Sequence, residues 1–342
     1  MSGGPIFIVG APRSGTTLLV QMLSRHPRIA ISGETHFLEV AYQERRRRVF
    51  GDLSRQANRE RLAQAYLATW RAKQQLQMDF AKLADKLVRE GDSWPSMFAA
   101  IMRGYAESQG KPRWGEKTPQ HAVFTETFFE WFPDAAVVHL LRDPRDVVAS
   151  LLHRPAASKS AVANARAWLR LNQAARGSSG RAGYLEVRYE ALVAQPEEEL
   201  RRICQFLGEE YAPSMLAAEQ QRVEHSGGMD RFRTPLTSSR QGLWQKELSP
   251  AQAAQIEWVL GDQMEAFGYR REMAPASAMS ILRGECFALL DRARIAFQRM
   301  PALWYYYFVP ADLASYECWR FPPPPGERET ASGADAVKSM GT

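Results

Sequence analysis

The stretch PIFIVGAPRSGTT, Pro5 to Thr17, runs without a break into LLVQMLSRHP, Leu18 to Pro27. Four consecutive apolar residues, Ile6, Phe7, Ile8 and Val9, read as a strand buried on both faces. Gly10 and Gly15 frame a tight loop, and from Thr16 the spacing of Leu18, Leu19, Met22 and Leu23 predicts a helix. A loop of this kind turns backbone N–H groups inward at a helix N-terminus, where unpaired donors and partial positive charge suit a phosphate. Arg13, Ser14, Thr16 and Thr17 add side-chain donors for the same anion. The common nucleoside-triphosphate loop puts Lys directly after the second Gly, to reach the terminal phosphates, and then a hydroxyl to hold magnesium. Here Thr16 stands where that Lys would be. A magnesium triphosphate would lose its main cationic partner, whereas one phosphate group could be held by Arg13, the two threonines and the backbone. The alternative is an ordinary strand-to-helix turn that happens to contain glycine.

The chain has 342 residues, 45% hydrophobic and 24% charged, enough for one large domain or two small ones with a sizeable core. Its net charge of +6 suits an anionic ligand, but without a patterned basic face it does not point to nucleic acid. Cys204, Cys286 and Cys318 lie far apart, outside any CxxC or metal-ligand spacing, so neither a disulfide framework nor a metal site is expected. The N-terminus goes almost at once into the first strand, and no apolar run approaches the roughly eighteen residues of a membrane span. A cytoplasmic protein in a reducing compartment is the expectation.

The string PIFIVGAPRSGTTLLVQMLSRHP, followed by SGETHF from Ser32 to Phe37, closely resembles the opening of sulfotransferases that use 3′-phosphoadenosine 5′-phosphosulfate (PAPS), most of all the branch containing bacterial enzymes and protein-tyrosine sulfotransferases. The resemblance implies that Pro12, Arg13, Ser14, Gly15, Thr16 and Thr17 bind the 5′-phosphosulfate, without a metal. It implies that Glu34 acts as general base on the acceptor hydroxyl, with His36 as the fallback base. Lys117 resembles the lysine that contacts the transferring sulfuryl group. Arg142, and Ser150 eight residues later, resemble the pair that binds the donor's 3′-phosphate, and Tyr189 resembles a tyrosine near the adenine. Arg240, Gln241 and Gly242 resemble the late loop that clasps the 3′-phosphate from the other side. The product would be 3′,5′-adenosine diphosphate.

Further strands are predicted at Arg28–Ser32, Trp114–Thr118, Ala135–Leu141 and Gly183–Val187, alternating with helices, which gives an α/β fold of P-loop-like type: a central parallel sheet flanked by helices in three layers. Ligands in such sheets sit at the carboxyl ends of strands, where Glu34, His36 and Arg142 fall. Asp143 is a natural N-cap and Pro144 an ideal first residue for a helix from Pro144 to about His153. The stretch from Asn58 to Glu90 is helical in character, a second helix is expected over Ser96–Gln109 after a break at Trp94–Pro95, and together they predict a helical cap over about 40–110, which the resemblance implies lines the acceptor pocket. Glu44–Arg48 reads as a solvated helix face, Gln120–Phe132 as one helix, Pro196 to Gly208 as a fully signalled helix that makes Cys204 a core residue, and Ser249–Phe267 as a helix opened by a capping box. Glu224–Arg240 has the composition of a mobile loop, which would act as a lid if it orders only over bound donor.

The resemblance stops near Tyr269. The division is therefore a sulfotransferase domain over 1–273, a helical and aromatic extension over 274–321, with a helix Ser280–Met300 and the cluster Trp304–Phe308, and a disordered tail over 322–342. Docking onto the main domain is the simplest use of the aromatic cluster, and homodimerisation or holding an apolar acceptor are the alternatives. The implied reaction is in-line transfer of a sulfuryl group to a hydroxyl, less readily to an amine. The acceptor, whether small molecule, glycan, lipid or peptide, is not encoded in any readable pattern. Two other classes stay open at this point: a nucleoside-kinase-like phosphotransferase, against which Thr16 speaks, and a non-catalytic nucleotide-binding relative.

Overall fold

In the computed structural model, which describes residues 3–155, 157–217 and 241–320, the opening stretch is strand β1 (Ile6–Gly10), every residue of it buried, followed by the loop and α1 (Thr16–Leu23). β2 (Ile29–Ser32) comes next. Six helices precede β3 (Arg113–Lys117): α2 (Phe37–Val40), α3 (Glu44–Phe50), α4 (Gln56–Leu67), α5 (Trp70–Leu76), α6 (Phe80–Glu90) and α7 (Trp94–Ser108). A 3₁₀ turn, Pro119–Phe124, and α8 (Thr125–Trp131) lead to β4 (Ala136–Leu141). Then α9 (Pro144–Leu152) and α10 (Ala161–Arg176) lead to β5 (Tyr184–Arg188). The chain continues through α11 (Tyr189–Ala194), α12 (Pro196–Leu207), α13 (Trp244–Glu247), α14 (Pro250–Leu260), α15 (Gln263–Ala266), α16 (Ala278–Gln298), α17 (Met300–Phe308) and α18 (Leu313–Arg320).

The five strands form one parallel sheet in the order β2-β3-β1-β4-β5, flanked by helices, as the sequence predicts. β1 pairs with β4 from Ile6 opposite Ala136 to Gly10 opposite Leu140, and β4 pairs with β5 up to Leu141 opposite Arg188. This register brings the carboxyl ends of β1, β4 and β5 to one edge, so the loop after Gly10, Arg142 and Tyr189 all emerge there.

The chain divides into two units, one from residues 3–31, 117–217 and 241–295, the other from 32–116 and 296–320. In the first, the core gathers Ile6, Ile8, Leu19, Leu23, Val138 and Leu140 with Leu200, Ile203 and Cys204 of α12, and Cys204 is a core residue as expected. Phe7 stacks on Phe128 with ring centres 3.8 Å apart. In the second unit Phe37 meets Tyr66 edge-on at 5.1 Å and Phe98 at 5.2 Å.

Several expected helices are divided, each for a local reason. The stretch 58–90 is three helices, not one: Thr69 caps α5, Gln77 turns left-handed (φ 34°), and Asp79 caps α6 through the N–H groups of Ala81 and Lys82. Pro95 does not break the chain but sits in the first turn of α7, whose cap is Ser93. The 120–132 helix begins as a 3₁₀ turn, and Gly261 (φ 50°) stops α14 before α15. The Glu44–Arg48 run is not wholly solvated. Arg46 is fully buried, donating to the carbonyls of Val40 (2.6 Å) and Pro310 (3.2 Å) with its guanidinium 3.7 Å from the Tyr316 ring centre. That partner lies in α18, a helix the sequence reading does not assign, whose Leu313, Tyr316 and Glu317 are buried against the second unit. The loop 224–240 and the tail 322–342 lie outside the described residues.

Candidate active site

Left-handed backbone marks the loop after β1. Arg13 adopts φ 78° and Gly15 φ 95°, and the start of α1 has no side-chain cap, leaving its first-turn N–H groups to whatever the loop holds. Ser14 Oγ is buried and has no hydrogen-bond partner among the described residues. A methyl group on Gly15 would lie 2.4 Å from Tyr189 Cδ2, so only glycine fits there.

The end of β4 closes on this loop. Arg142 Nη1 donates to the Arg13 carbonyl at 3.1 Å, and its guanidinium lies 4.4 Å from the Tyr189 ring centre. Arg13 Nε donates to Ser150 Oγ at 3.0 Å. Five of the residues singled out by sequence, Arg13, Gly15, Arg142, Ser150 and Tyr189, are thus drawn into one place although they come from three separate strand ends. The predicted cap at Asp143 accepts from the Arg145 N–H at 2.8 Å.

Gly242 is brought to α9 and Gln241 to α11. Asp146 accepts from the backbone N–H of Gly242 and of Trp244, both at 3.0 Å, and the Gln241 amide donates to the Glu190 carbonyl at 3.0 Å. Arg240 lies outside the described residues. Asp146 and Glu190 stand in the first turns of α9 and α11, and the sequence reading assigns a partner to neither. What their side chains hold lies far along the chain: Glu190 accepts from the Asp143 N–H at 2.9 Å and from the Tyr269 hydroxyl at 3.2 Å. Burial pushes both carboxyls above the usual carboxylate range, against the opposing pull of these N–H donors. Arg145, buried and stacked 4.1 Å from the Trp244 ring centre, binds Asp143, Glu257 and Glu272 at 2.8, 2.9 and 3.0 Å and so ties α9 to α14.

Lys117 ends β3 and is buried. Glu34 and His36 belong to the second unit. Glu34 follows β2, its side chain about one-third exposed, with Arg71 Nη1 at 3.8 Å and His36 Nε2 at 3.5 Å. The other ring nitrogen of His36, which is buried in a left-handed turn (φ 48°), faces Glu39 at 3.5 Å. The imidazole is therefore bracketed by two carboxylates. Arg71 is in turn approached by Glu317 of α18, which accepts its backbone N–H at 3.2 Å and lies 3.8 Å from Nε. Burial pushes the Glu317 carboxyl up, opposed by the Arg71 charge. Neither Arg71 nor Glu317 carried a sequence signal, since both lie in helical stretches without a motif.

An uncapped helix start after a loop with left-handed residues, Arg142 reaching it from the neighbouring strand end, and a parallel sheet flanked by helices are the features of a P-loop-like α/β fold. Residues 5–213 match the sulfotransferase family, and the chain belongs to it, an enzyme family that moves sulfuryl groups. Among curated proteins it is 28% identical over 323 residues to nodulation protein NoeE of Sinorhizobium fredii, covering 85% of this chain and 72% of that protein. It is 27% identical over 219 residues to a putative protein-tyrosine sulfotransferase of Caenorhabditis briggsae, covering 62% and 68%. Among solved structures, the sulfotransferase domain of the Synechococcus PCC 7002 olefin synthase superposes with a TM-score of 0.53 at 20% identity, covering 78% of this chain and 94% of that one, a likeness of fold. Among the described residues no group of three or more His, Cys, Asp or Glu could hold a metal ion, and no helix is long and apolar enough to cross a membrane.

Proposed function

We propose that the protein transfers a sulfuryl group from PAPS to a hydroxyl, less readily to an amine, of its acceptor. The observation that carries the reading is the junction of Arg13 with Ser150 and Arg142, which ties the phosphate loop to the residues assigned to a second phosphate. A donor with phosphate on both the 5′ and 3′ positions is the ligand that would use both. The uncapped α1 start and the buried Ser14 hydroxyl support the loop side of that fit.

In this reading Ser14, Thr16, Thr17 and the loop amides hold the phosphosulfate, while Arg142, Ser150 and the Gly242 segment hold the 3′-phosphate. Tyr189 carries Arg142 on its ring and borders the adenine. Arg13 and Lys117 offset the charge that builds on the bridging oxygen as the sulfur–oxygen bond to phosphate breaks and the bond to the acceptor oxygen forms. Glu34 takes the acceptor proton, which is worth about 10²–10⁴-fold for a well-placed general base. Arg71 and His36 orient its carboxylate. The reaction needs no metal, and the three cysteines, which form no disulfide, fit a reducing, cytoplasmic setting.

Calorimetric titration with 3′,5′-adenosine diphosphate and with ATP, each with and without magnesium, tests the donor assignment. Metal-independent binding of the bisphosphate, with ATP much weaker, is expected. A preference for magnesium-ATP would return the phosphotransferase reading to first place.

A further inference from the structure

The extension beyond the family match carries most of the exposed large hydrophobic side chains among the described residues. Among the described residues twelve of the fourteen exposed large hydrophobic side chains lie between Met279 and Val309. Scattered apolar residues on a surface need no explanation, but a contiguous set marks an interaction site.

Helix α16 shows why this face cannot simply turn inward. Its inner side is already fixed to the first unit. Gly284 lets the helix approach so closely that a Cβ there would lie 2.9 Å from the Gln255 side chain and 3.0 Å from Val162. Gln255 donates to the Ser280 carbonyl at 2.7 Å, Glu285 pairs with Arg166, and Asp291 accepts from the Ser158 hydroxyl and from the Lys159 N–H at 3.0 Å. The opposite side, at helical spacings of three, seven, eight and eleven, presents Met279, Leu282, Leu289, Leu290 and Phe297, and the last three are 65–73% exposed.

The charges around this face are one-sided. Between residues 278 and 309 the only acids are Glu285 and Asp291, both engaged by the partners just named. The cations of the stretch are Arg283, Arg292, Arg294 and Arg299; Arg294 pairs with Asp291 at 2.7 Å, and Arg283 and Arg292 are exposed on α16. The solvent side of the helix therefore offers apolar and cationic groups and no acid. Two copies of such a helix laid together would bring their arginines face to face with no carboxylate to pair them. An anionic lipid surface complements both components: headgroup phosphates for the arginines, and the acyl boundary for Leu and Phe. In the second unit α17 (Met300–Phe308) carries no charged residue and leaves Leu303, Trp304, Tyr307 and Phe308 exposed, and Trp and Tyr are the side chains that favour the headgroup level.

We propose that the outer face of α16 is a peripheral docking surface for an anionic bilayer, lying on the membrane rather than crossing it. The test uses the full chain with large unilamellar vesicles of phosphatidylcholine alone and with about 30% phosphatidylglycerol, read by flotation. Binding to the anionic vesicles at least about tenfold stronger than to neutral ones, and weakened by salt, is expected. The double variant Leu289→Asp/Leu290→Asp should lose about tenfold or more of that binding, while its thermal unfolding and its titration with 3′,5′-adenosine diphosphate match the parent. Arg283→Glu/Arg292→Glu should abolish the preference for anionic vesicles without touching the apolar face. Absence of binding to either vesicle, or binding that both variants leave intact, overturns the proposal. So does a dimer in light scattering that Leu289→Asp/Leu290→Asp dissociates, which would give the face to a second copy of the chain.

Discussion

Replacing Gly15 by alanine tests the construction of the loop between β1 and α1. Two independent costs are expected. Gly15 sits at φ 95°, a conformation that costs an L-residue about 1–2 kcal/mol. The added methyl would also lie 2.4 and 2.8 Å from the Cδ2 and Cε2 atoms of Tyr189, well inside contact distance. That ring is buried and carries the Arg142 guanidinium, so it cannot swing aside cheaply, and overpacking of this kind costs about 1–3 kcal/mol. Gly15→Ala should therefore lose about 2–5 kcal/mol in urea unfolding, and calorimetry should show weakened binding of 3′,5′-adenosine diphosphate. Tyr189→Leu removes the ring but leaves the backbone torsion. In the double variant the overpacking part should be recovered and the torsional part should remain, a coupling of about 1–3 kcal/mol between the sites. Strict additivity of the two substitutions, or a Gly15→Ala protein as stable as the parent, would refute the reasoning.

Other outcomes follow from the same geometry. Arg142→Ala should weaken 3′,5′-adenosine diphosphate binding by roughly 10- to 150-fold, the worth of a charge-assisted contact, and leave adenosine 5′-phosphosulfate nearly unchanged; equal loss for both ligands in calorimetry would remove the division into two phosphate sites. Arg145→Met leaves Asp143, Glu257 and Glu272 facing one another without their cation and should cost about 3–5 kcal/mol in urea unfolding, whereas a cost below about 1 kcal/mol would show the cluster to be hydrated. The Glu186 carboxyl, although burial alone would raise it, is held down to about 2 by Arg176 and His139. Because this folded-state value lies below the unfolded one, the stabilisation is fully present above about pH 4.5 and is lost as pH falls toward 2. Arg176→Met keeps the apolar contact with Phe267 but removes the cation, so its stability deficit should be on the order of 1–3 kcal/mol near neutrality and should shrink below pH 4. A deficit that does not change with pH would assign the loss to packing.

Among the described residues the strands of the sheet and most of the helices flanking it were legible because their signals are local. Ile6–Val9 and Ala135–Leu141 are continuous apolar runs, and Asp143-Pro144 and Ser249-Pro250 cap their helices through neighbours in sequence. Where the reading failed, as at Thr69, Gln77 and Gly261, helix-favouring composition continued through a turn whose cause is a single residue's torsion or cap. Arg46 failed differently. Nothing in ERRRR says that one of its arginines is enclosed by Tyr306 and Tyr316, about 260 and 270 residues away, because a helix face acquires its partner only when the chain closes.

The sequence by itself determined the strand-loop-helix at Pro5–Leu23, the glycine at position 15, the capped helix after Asp143 and the set of cationic and hydroxyl residues fit for phosphates, since each follows from neighbours within a turn or two. Only the tertiary structure decided how those groups are held. Gly15 admits the Tyr189 ring, Tyr189 carries Arg142, Arg142 grips the Arg13 carbonyl, and Asp146 anchors Gly242. It also decided that Glu317, from beyond the family match, stands beside Arg71 next to Glu34. Such contacts depend on strand order and on the burial that makes an unpaired charge costly, and neither is written in any short stretch of chain.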